Sequence, residues 1–483
     1  MASIKTNIVL NALNTASRIL FPLVTFPYAS RVLEPEGIGV INFLNGIIGY
    51  ILLLTTLGVP MYAVKMVARH RDDAPLRDRI TTEVILLCLM LSAGGYVLVG
   101  LLAQFVPQIH SHRLIFFVLS APLLFDALGV SWFYQAMEDF RYITVRELIV
   151  RSIFTVALFI FVHDASDLLA YAILLTGSSA IGSMINFLHL RKFISRKGLR
   201  MRELRPLRHL PAATKVFAMN LITSLYVFLN SIMLGFISGD AEVGYFTAGT
   251  RIPHIALVII GTINNVLFPR CAYLLQQGDR EGFSQLIHKS LGLIQGLAYP
   301  LMVGIMVLSS PLIMIFCGPD YGPSVGVMLL NAPVILAITF ANLTGVQVLY
   351  PLDKLNILIM SVSVGAVVNL GLNLLLMPRF GALGAAIATL VAEFGVLTTQ
   401  LIAGRGLFPF TPRQLFGMRY LGPSLLMGAC AYATSCAFSA PLISVLIGTA
   451  TGFTVYAAIL ILNRDPLADE LALILKKRFQ HTK

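Results

Sequence analysis

The chain has 483 residues, of which 57% are hydrophobic and 12% charged, and its mean hydropathy is +0.82. Those values lie far outside the range of soluble globular proteins and place the chain in a membrane. The net charge of +12 is then a measure of attraction to an anionic inner leaflet, and nucleic acid is excluded as the natural partner.

About fourteen apolar stretches reach helical spanning length, at 7–32, 40–64, 82–105, 113–136, 144–163, 168–190, 212–237, 243–268, 288–316, 324–350, 355–377, 381–403, 417–439 and 441–462. With a cytoplasmic N-terminus, about 30 of the 35 basic residues fall on cytoplasmic loops, span ends and tails. The opposite side keeps Arg31, Arg113, Arg251 and Arg379. This asymmetry predicts a multi-pass protein of the cell inner membrane with both termini in the cytoplasm. The first span is too long for the apolar core of a signal peptide and is expected to be retained.

The densest basic cluster, Arg191, Lys192, Arg196, Lys197, Arg200, Arg202, Arg205 and Arg208, falls at the sixth loop and reads as a topology anchor. It divides the chain into an N-terminal six-helix bundle at 1–192, a basic cytoplasmic linker at 193–211 and a second six-helix bundle at 212–404. Helices 13 and 14 occupy 405–463, and a cytoplasmic interfacial helix and tail occupy 464–483. In that last segment Asp465 and Pro466 form a helix start, and Leu467, Leu471, Ile474 and Leu475 align ahead of Lys476, Lys477 and Arg478.

Within the first span, Asn7, Asn11, Asn14, Arg18 and Thr25 share one helical face. Entered at Asn7, the span carries Arg18 about 16 Å deep, near the middle of an apolar core roughly 30 Å thick. A charge there costs at least about 2.5–3.5 kcal/mol on insertion scales, so it faces a partner or a watery cavity. No acidic residue lies between Asn7 and Val32. Pro22 and Pro27 predict a bend farther along the span.

Span two carries a second stripe, Asn42, Asn45, Gly46, Gly49 and Pro60. Glu83, at the cytoplasmic end of span three, is expected to face headgroups or water. Asp126 lies about 20 Å inside span four from Arg113. The seventh span repeats the first at an offset of about 213, with Asn220, Ser224, Ser231 and Ser238 in the places of Asn7, Asn11, Arg18 and Thr25. Spans two and eight repeat at an offset of about 205: Thr247, Thr250, Arg251, His254 and Asn265 match the stripe of span two, and Gly39 and Gly244 precede them. Span twelve has a small-residue face for close packing (Gly381, Gly384, Ala385, Ala388, Ala392) and a deep Glu393. The five cysteines (Cys88, Cys271, Cys317, Cys430, Cys436) are scattered and indicate neither a metal site nor a disulfide framework.

Matched six-span halves of this kind are how the parallel internal repeats of a secondary transporter read, with the site between them. Arg18 and Arg251 then fall on equivalent walls, with His254 one turn from Arg251, and outline a cationic cavity. Guanidinium groups bind phosphate oxygens through paired, charge-assisted hydrogen bonds, so an anionic diphosphate headgroup is the natural cargo. Arg31 is either a second contact or an interfacial anchor. Asp126 and Glu393 either neutralise a buried arginine or take a coupling proton, and His254 either hydrogen-bonds or senses protons. No nucleotide-binding or hydrolytic motif is present, so no cofactor is expected, and energy would come from a proton or sodium ion gradient or from the cargo's own gradient.

Two segments carry a family resemblance: FPLVTFPYASRVLEPEGIGVINFLNGIIGY at 21–50 and LGVSWFYQAMEDFRYITVRELI at 128–149, supported by SLYVFLNSIMLGFISGDAEVGYFTAG at 224–249. They are similar to the Wzx-type polysaccharide-repeat flippases of the multidrug/oligosaccharidyl-lipid/polysaccharide exporter superfamily. The resemblance implies an all-α membrane protein, with two six-helix bundles in a V shape around a central cavity plus two extra C-terminal helices. It implies that an undecaprenyl-diphosphate-linked oligosaccharide is moved from the inner to the outer leaflet by alternating access, for O-antigen, capsule or exopolysaccharide synthesis. A polysaccharide polymerase and a chain-length regulator would be its partners besides membrane lipids. It also implies that Arg18 and Arg251 line the cavity, and that Asn42, Asn45, Trp132, Gln135 and Glu138 are motif positions. Arg251 stands where the family often has lysine. Three rivals stand beside it: a lipid II flippase, a cation-coupled multidrug exporter that would need cavity carboxylates, and a membrane glycosyltransferase or polymerase.

Overall fold

The computed structural model describes residues 4–194 and 203–465, and every regular element in them is helical. Arg196, Lys197, Arg200 and Arg202 of the basic cluster, and the interfacial helix expected after Asp465, lie outside the described residues. The chain forms two compact units, Met1–Gly244 and Tyr245–Lys483.

The first unit begins with α1 (Ile4–Thr56), whose 53 residues would run about 80 Å if straight, far more than one crossing. It reverses at Glu34, where φ is 58° and ψ 176°. Pro35 follows, and the helical region is disfavoured for a residue before proline. The apolar stretches expected at 7–32 and 40–64 are the two arms. Pro22 and Pro27 lie inside the first arm without ending it. The second arm breaks at Leu57 and Gly58, both at positive φ, and continues as α2 (Val59–Arg69). After α3 (Ala74–Phe105) and α4 (Pro107–His110), the span expected at 113–136 is three short helices: α5 (Arg113–Leu119), α6 (Ala121–Gly129) and α7 (Ser131–Ala136). The last break is at Val130, with φ of 40°. A carbonyl freed inside a membrane needs a donor, and the Asn186 amide nitrogen donates to Gly129 O at 2.6 Å. The unit continues with α8 (Phe140–Phe161), α9 (Leu168–Leu190) and α10 (Leu210–Ile237).

Helix α10 was expected to open the second bundle, yet it packs on α1 and α2 within the first compact unit. Glycines make the fit: a side chain at Gly46 or Gly49 would meet Ile232 or Phe228, and one at Gly235 would meet Phe43. The stripe holding Asn42 and Asn45 therefore borders a helix–helix seam. Glu83 corrects another expectation. It is fully buried, because residues 203–209 fold back over the start of α3 and close on it.

The second unit contains α11 (Asp240–Gln276, its first residues in the first unit), α12 (Arg280–Val307), α13 (Ser309–Phe316), α14 (Ser324–Asn331), α15 (Val334–Asn342), a π-helical stretch at Leu343–Leu349, α16 (Leu355–Ala403), α17 (Pro412–Leu415), α18 (Leu421–Ser435) and α19 (Pro441–Leu462). The 49 residues of α16 hold two expected spans, 355–377 and 381–403, and turn at Gly381 with φ of 51°. Glycine suits a left-handed backbone there, so Gly381 is a pivot as well as part of the small-residue face. Among the described residues, nine helices are long and apolar enough to cross a membrane. Two of these, Ala16–Arg69 and Leu355–Ala403, have length for two crossings each. Helix α8 falls outside that set, and the charges on it lead to the site.

Candidate functional site

Arg18 projects from the first arm of α1, and its side chain is 62% exposed. Its ionic partner is Glu147 on α8, at 3.8 Å between Nη2 and Oε1. The same carboxylate receives Arg146 at 3.3 Å on Oε1 and Arg151 at 3.1 Å on Oε2. Three guanidinium groups thus share one carboxylate within the apolar stretches of α1 and α8, leaving an excess of two positive charges.

Each element fixes its own part. Glu147 and Arg151 stand four apart on α8, the spacing at which helical side chains meet. Arg146, almost fully buried, donates from Nη1 to Gly182 O on α9 at 2.8 Å. Arg151 Nη1 donates to Ser17 Oγ on α1 at 2.8 Å, and Ser17 Oγ donates to Asn14 O at 2.7 Å. Asn14 Oδ1 is buried without a hydrogen-bond partner. Thr144 Oγ1 adds a bond to Leu10 O at 3.2 Å, so α8 is tied to α1 at both ends of the cluster. Beside the cluster is a cavity of about 320 Å³, lined by Arg18, Arg151, Phe21, Phe154, Tyr171 and Ser178 among others.

Sequence reasoning found Arg18 and Asn14 and missed Glu147, Arg146 and Arg151. The signal was present: a carboxylate and two arginines spaced one and four apart inside the apolar stretch 144–163. The sequence offered Asp126 and Glu393 as groups that either neutralise a buried arginine or take a coupling proton; the carboxylate beside Arg18 is Glu147.

Asp126 lines a different cavity of the same unit, about 670 Å³ in volume, with Lys65, Ser92, Trp132 and Gln135 on its walls. It accepts a hydrogen bond from Ser179 Oγ at 3.2 Å and forms no ion pair among the described residues. Of the motif positions, Trp132 and Gln135 are therefore cavity residues. Glu138, at φ of 59°, pairs with Arg71 at 3.5 Å. Asn42 donates to Ile38 O of its own helix at 2.8 Å. Asn45 is half-buried, and Arg31 is exposed close to the Glu34 turn. In the second unit Arg251 is half-buried on α11, His254 is exposed one turn along, and Glu393 is half-buried on α16. The side chains of Asn7, Asn11, Asn220, Ser224 and Asn265 lie outside the described set.

A family model described as "Polysaccharide biosynthesis protein" matches residues 4–275. A protein of Escherichia coli (strain K12), named as a candidate O-antigen transporter, is 26% identical over 410 residues, covering 83% of this chain and 96% of its own length. Among solved structures, the lipid II flippase MurJ in an inward closed conformation superposes with a TM-score of 0.69 at 15% identity, over 95% of this chain and all of its own. An inward-facing multidrug resistance MATE family transporter of the MOP superfamily gives 0.61 at 16% identity, over 83% of this chain and 97% of its own. The fold is thus that of the MurJ and MATE transporters. With the family model covering more than half of the sequence, the chain belongs to the polysaccharide biosynthesis protein family.

Proposed function

We propose that this chain is a flippase that carries an undecaprenyl-diphosphate-linked oligosaccharide from the inner to the outer leaflet of the bacterial cytoplasmic membrane by alternating access. One observation carries the reading: three arginines gathered on a single carboxylate, within apolar stretches and beside a cavity. An excess of cation in a membrane is costly unless an anion uses it. Guanidinium forks match phosphate oxygens, and a diphosphate supplies the charge the cluster lacks. The same excess opposes a cationic drug. The phenyl and phenol rings of Phe21, Phe154 and Tyr171 offer apolar surface next to the charges, as an isoprenoid or sugar diphosphate requires.

Arg251, with His254 beside it, is proposed as the cationic contact of the second unit. Arg31, Asn14, Asn42 and Asn45 are proposed as secondary contacts. Asp126 and Glu393 are proposed as coupling or structural charges for a proton or sodium ion. O-antigen, capsule or exopolysaccharide repeat units are the proposed cargo, handed to a polymerase and its chain-length regulator. The likeness to an O-antigen transporter supports that choice, and the likeness in fold to MurJ supports lipid II as the second reading.

Complementation separates the two. In cells lacking their own O-antigen transporter the chain should restore surface glycan, and in cells depleted of their lipid II flippase it should not restore growth. Arg18→Ala and Arg251→Ala should each abolish surface glycan while the protein still inserts. Full export by both variants would overturn the cationic site, and rescue of lipid II export alone would move the cargo to the second reading.

A further inference from the structure

The charge count around Glu147 raises a question about the empty carrier. Glu147 is the one carboxylate on which Arg18, Arg146 and Arg151 converge among the described residues, and its bonds to them are unequal. Arg146 and Arg151 each have an independent anchor, at Gly182 O and Ser17 Oγ, both at 2.8 Å. Arg18 has no such anchor among the described residues beyond the 3.8 Å contact, and its exposed head lines the cavity with Arg151. Neither Arg146 nor Glu147 lines that cavity.

We propose that Glu147 is a displaceable counter-ion: an isoprenoid diphosphate entering the 320 Å³ cavity takes over Arg18 and Arg151 from it, and Glu147 reclaims them on release. This rests on reading Arg18 as a diphosphate contact. The anchors make the exchange feasible, because Arg151 keeps its bond to Ser17, and Glu147 keeps Arg146 as a partner throughout. Arg18 is free to swing, since its carboxylate contact is too long for a hydrogen bond. A diphosphate outcompetes a carboxylate for guanidinium because it brings more charge and more acceptor oxygens.

The exchange serves turnover. Without Glu147 the empty site would leave three guanidinium groups unbalanced in the membrane and would hold a diphosphate too tightly to let it go. A carrier needs binding that is favourable enough to load and weak enough to unload. Glu147 lowers affinity by stabilising the unloaded state, and so would speed release.

The test uses the full-length protein in lipid nanodiscs, with farnesyl diphosphate as probe and farnesol and inorganic diphosphate as controls. Glu147→Gln keeps the side-chain shape and removes the charge. It should bind farnesyl diphosphate about tenfold more tightly than wild type, while surface-glycan export in cells falls. Glu147→Asp draws the charge back and should give a smaller gain, about threefold, which serves if the glutamine variant is not recovered folded. Unchanged or weaker binding in these variants overturns the counter-ion role. If Arg18→Ala binds as wild type does, the diphosphate site itself is wrong. If Arg18→Ala loses binding and Glu147→Gln leaves it unchanged, the site stands and the exchange falls. Inorganic diphosphate matching farnesyl diphosphate would mean a free anion, not a lipid headgroup, and would also overturn it.

Discussion

At Glu83 a single buried carboxylate organises the edge of the first unit. Its oxygens receive Arg79 at 3.1 Å, Arg208 at 2.7 Å, the Arg205 backbone amide at 3.0 Å and His209 Nε2 at 2.8 Å. His209 is itself buried, and its other ring nitrogen meets Tyr62 at 2.7 Å. An ionised carboxylate only accepts, so His209 donates from Nε2, and the neutral ring accepts the Tyr62 hydroxyl proton at Nδ1. Burial pushes His209 below the ordinary histidine value, helped by Arg208 and opposed by Glu83. A group with a depressed folded value contributes stability that is present above its unfolded value, about 6.5 for histidine, and lost as pH falls through the folded value. The segment 203–209 should therefore loosen on acidification. Protection of its amides against hydrogen exchange, taken relative to the intrinsic rate at each pH, should fall as pH drops below about 6, and His209→Gln should flatten that dependence. Protection unchanged at pH 5 would refute the linkage. Of these partners only Arg79, four residues away on the same helix, was open to sequence reasoning; Arg205, Arg208 and His209 are more than a hundred residues away, and a carboxylate at a span end ordinarily faces water.

The joint between α1 and the start of α11 depends on glycines that sequence periodicity had paired for a different reason. The sequence offset of about 205 pairs Gly39 with Gly244, and Pro35 with Asp240. In the structure a side chain at Gly39 would collide with the Asp240 backbone, and one at Gly244 with the Pro35 backbone, so the two contacts are reciprocal. Backbone cannot yield as a flexible side chain can, so overpacking here costs about 1–3 kcal/mol or more. Gly39→Val should lower the melting temperature in detergent, while Gly94→Ala, where nothing lies within 4 Å, should leave it unchanged or raise it. Equal melting of both variants would show that the corner relaxes freely. Elements were legible where length and apolarity decide: the turns at Glu34 and Gly381 fall between stretches that hydropathy had already separated. The break at Val130 was not, because a β-branched residue at positive φ has no local signal and is held by Asn186 from another helix. Arg18 was legible as a cost, but its partner required knowing that α8 lies beside α1.

For the molecule as a whole the question is what powers transport, since the sequence holds no nucleotide-binding or hydrolytic motif. Two cavities of the first unit have charged side chains on their walls. One is cationic and aromatic around Arg18 and Arg151, and the other holds Asp126 among Ser92, Ser131, Trp132 and Gln135. A carboxylate bonded by a hydroxyl and lacking an ion pair among the described residues is suited to take up a proton or sodium ion. It lines a different cavity from the arginines and can change its charge without competing for them. Helices α1 and α9 border both cavities, so a change at Asp126 can reach the arginines through them. In vesicles containing the reconstituted protein, transport of a lipid-linked oligosaccharide should respond to an imposed pH or sodium gradient. Asp126→Asn should remove that response and leave movement down the cargo's own gradient intact. If the variant still follows the imposed gradient, Asp126 is a structural group and the coupling carboxylate must be sought elsewhere, with Glu393 on α16 the next to replace.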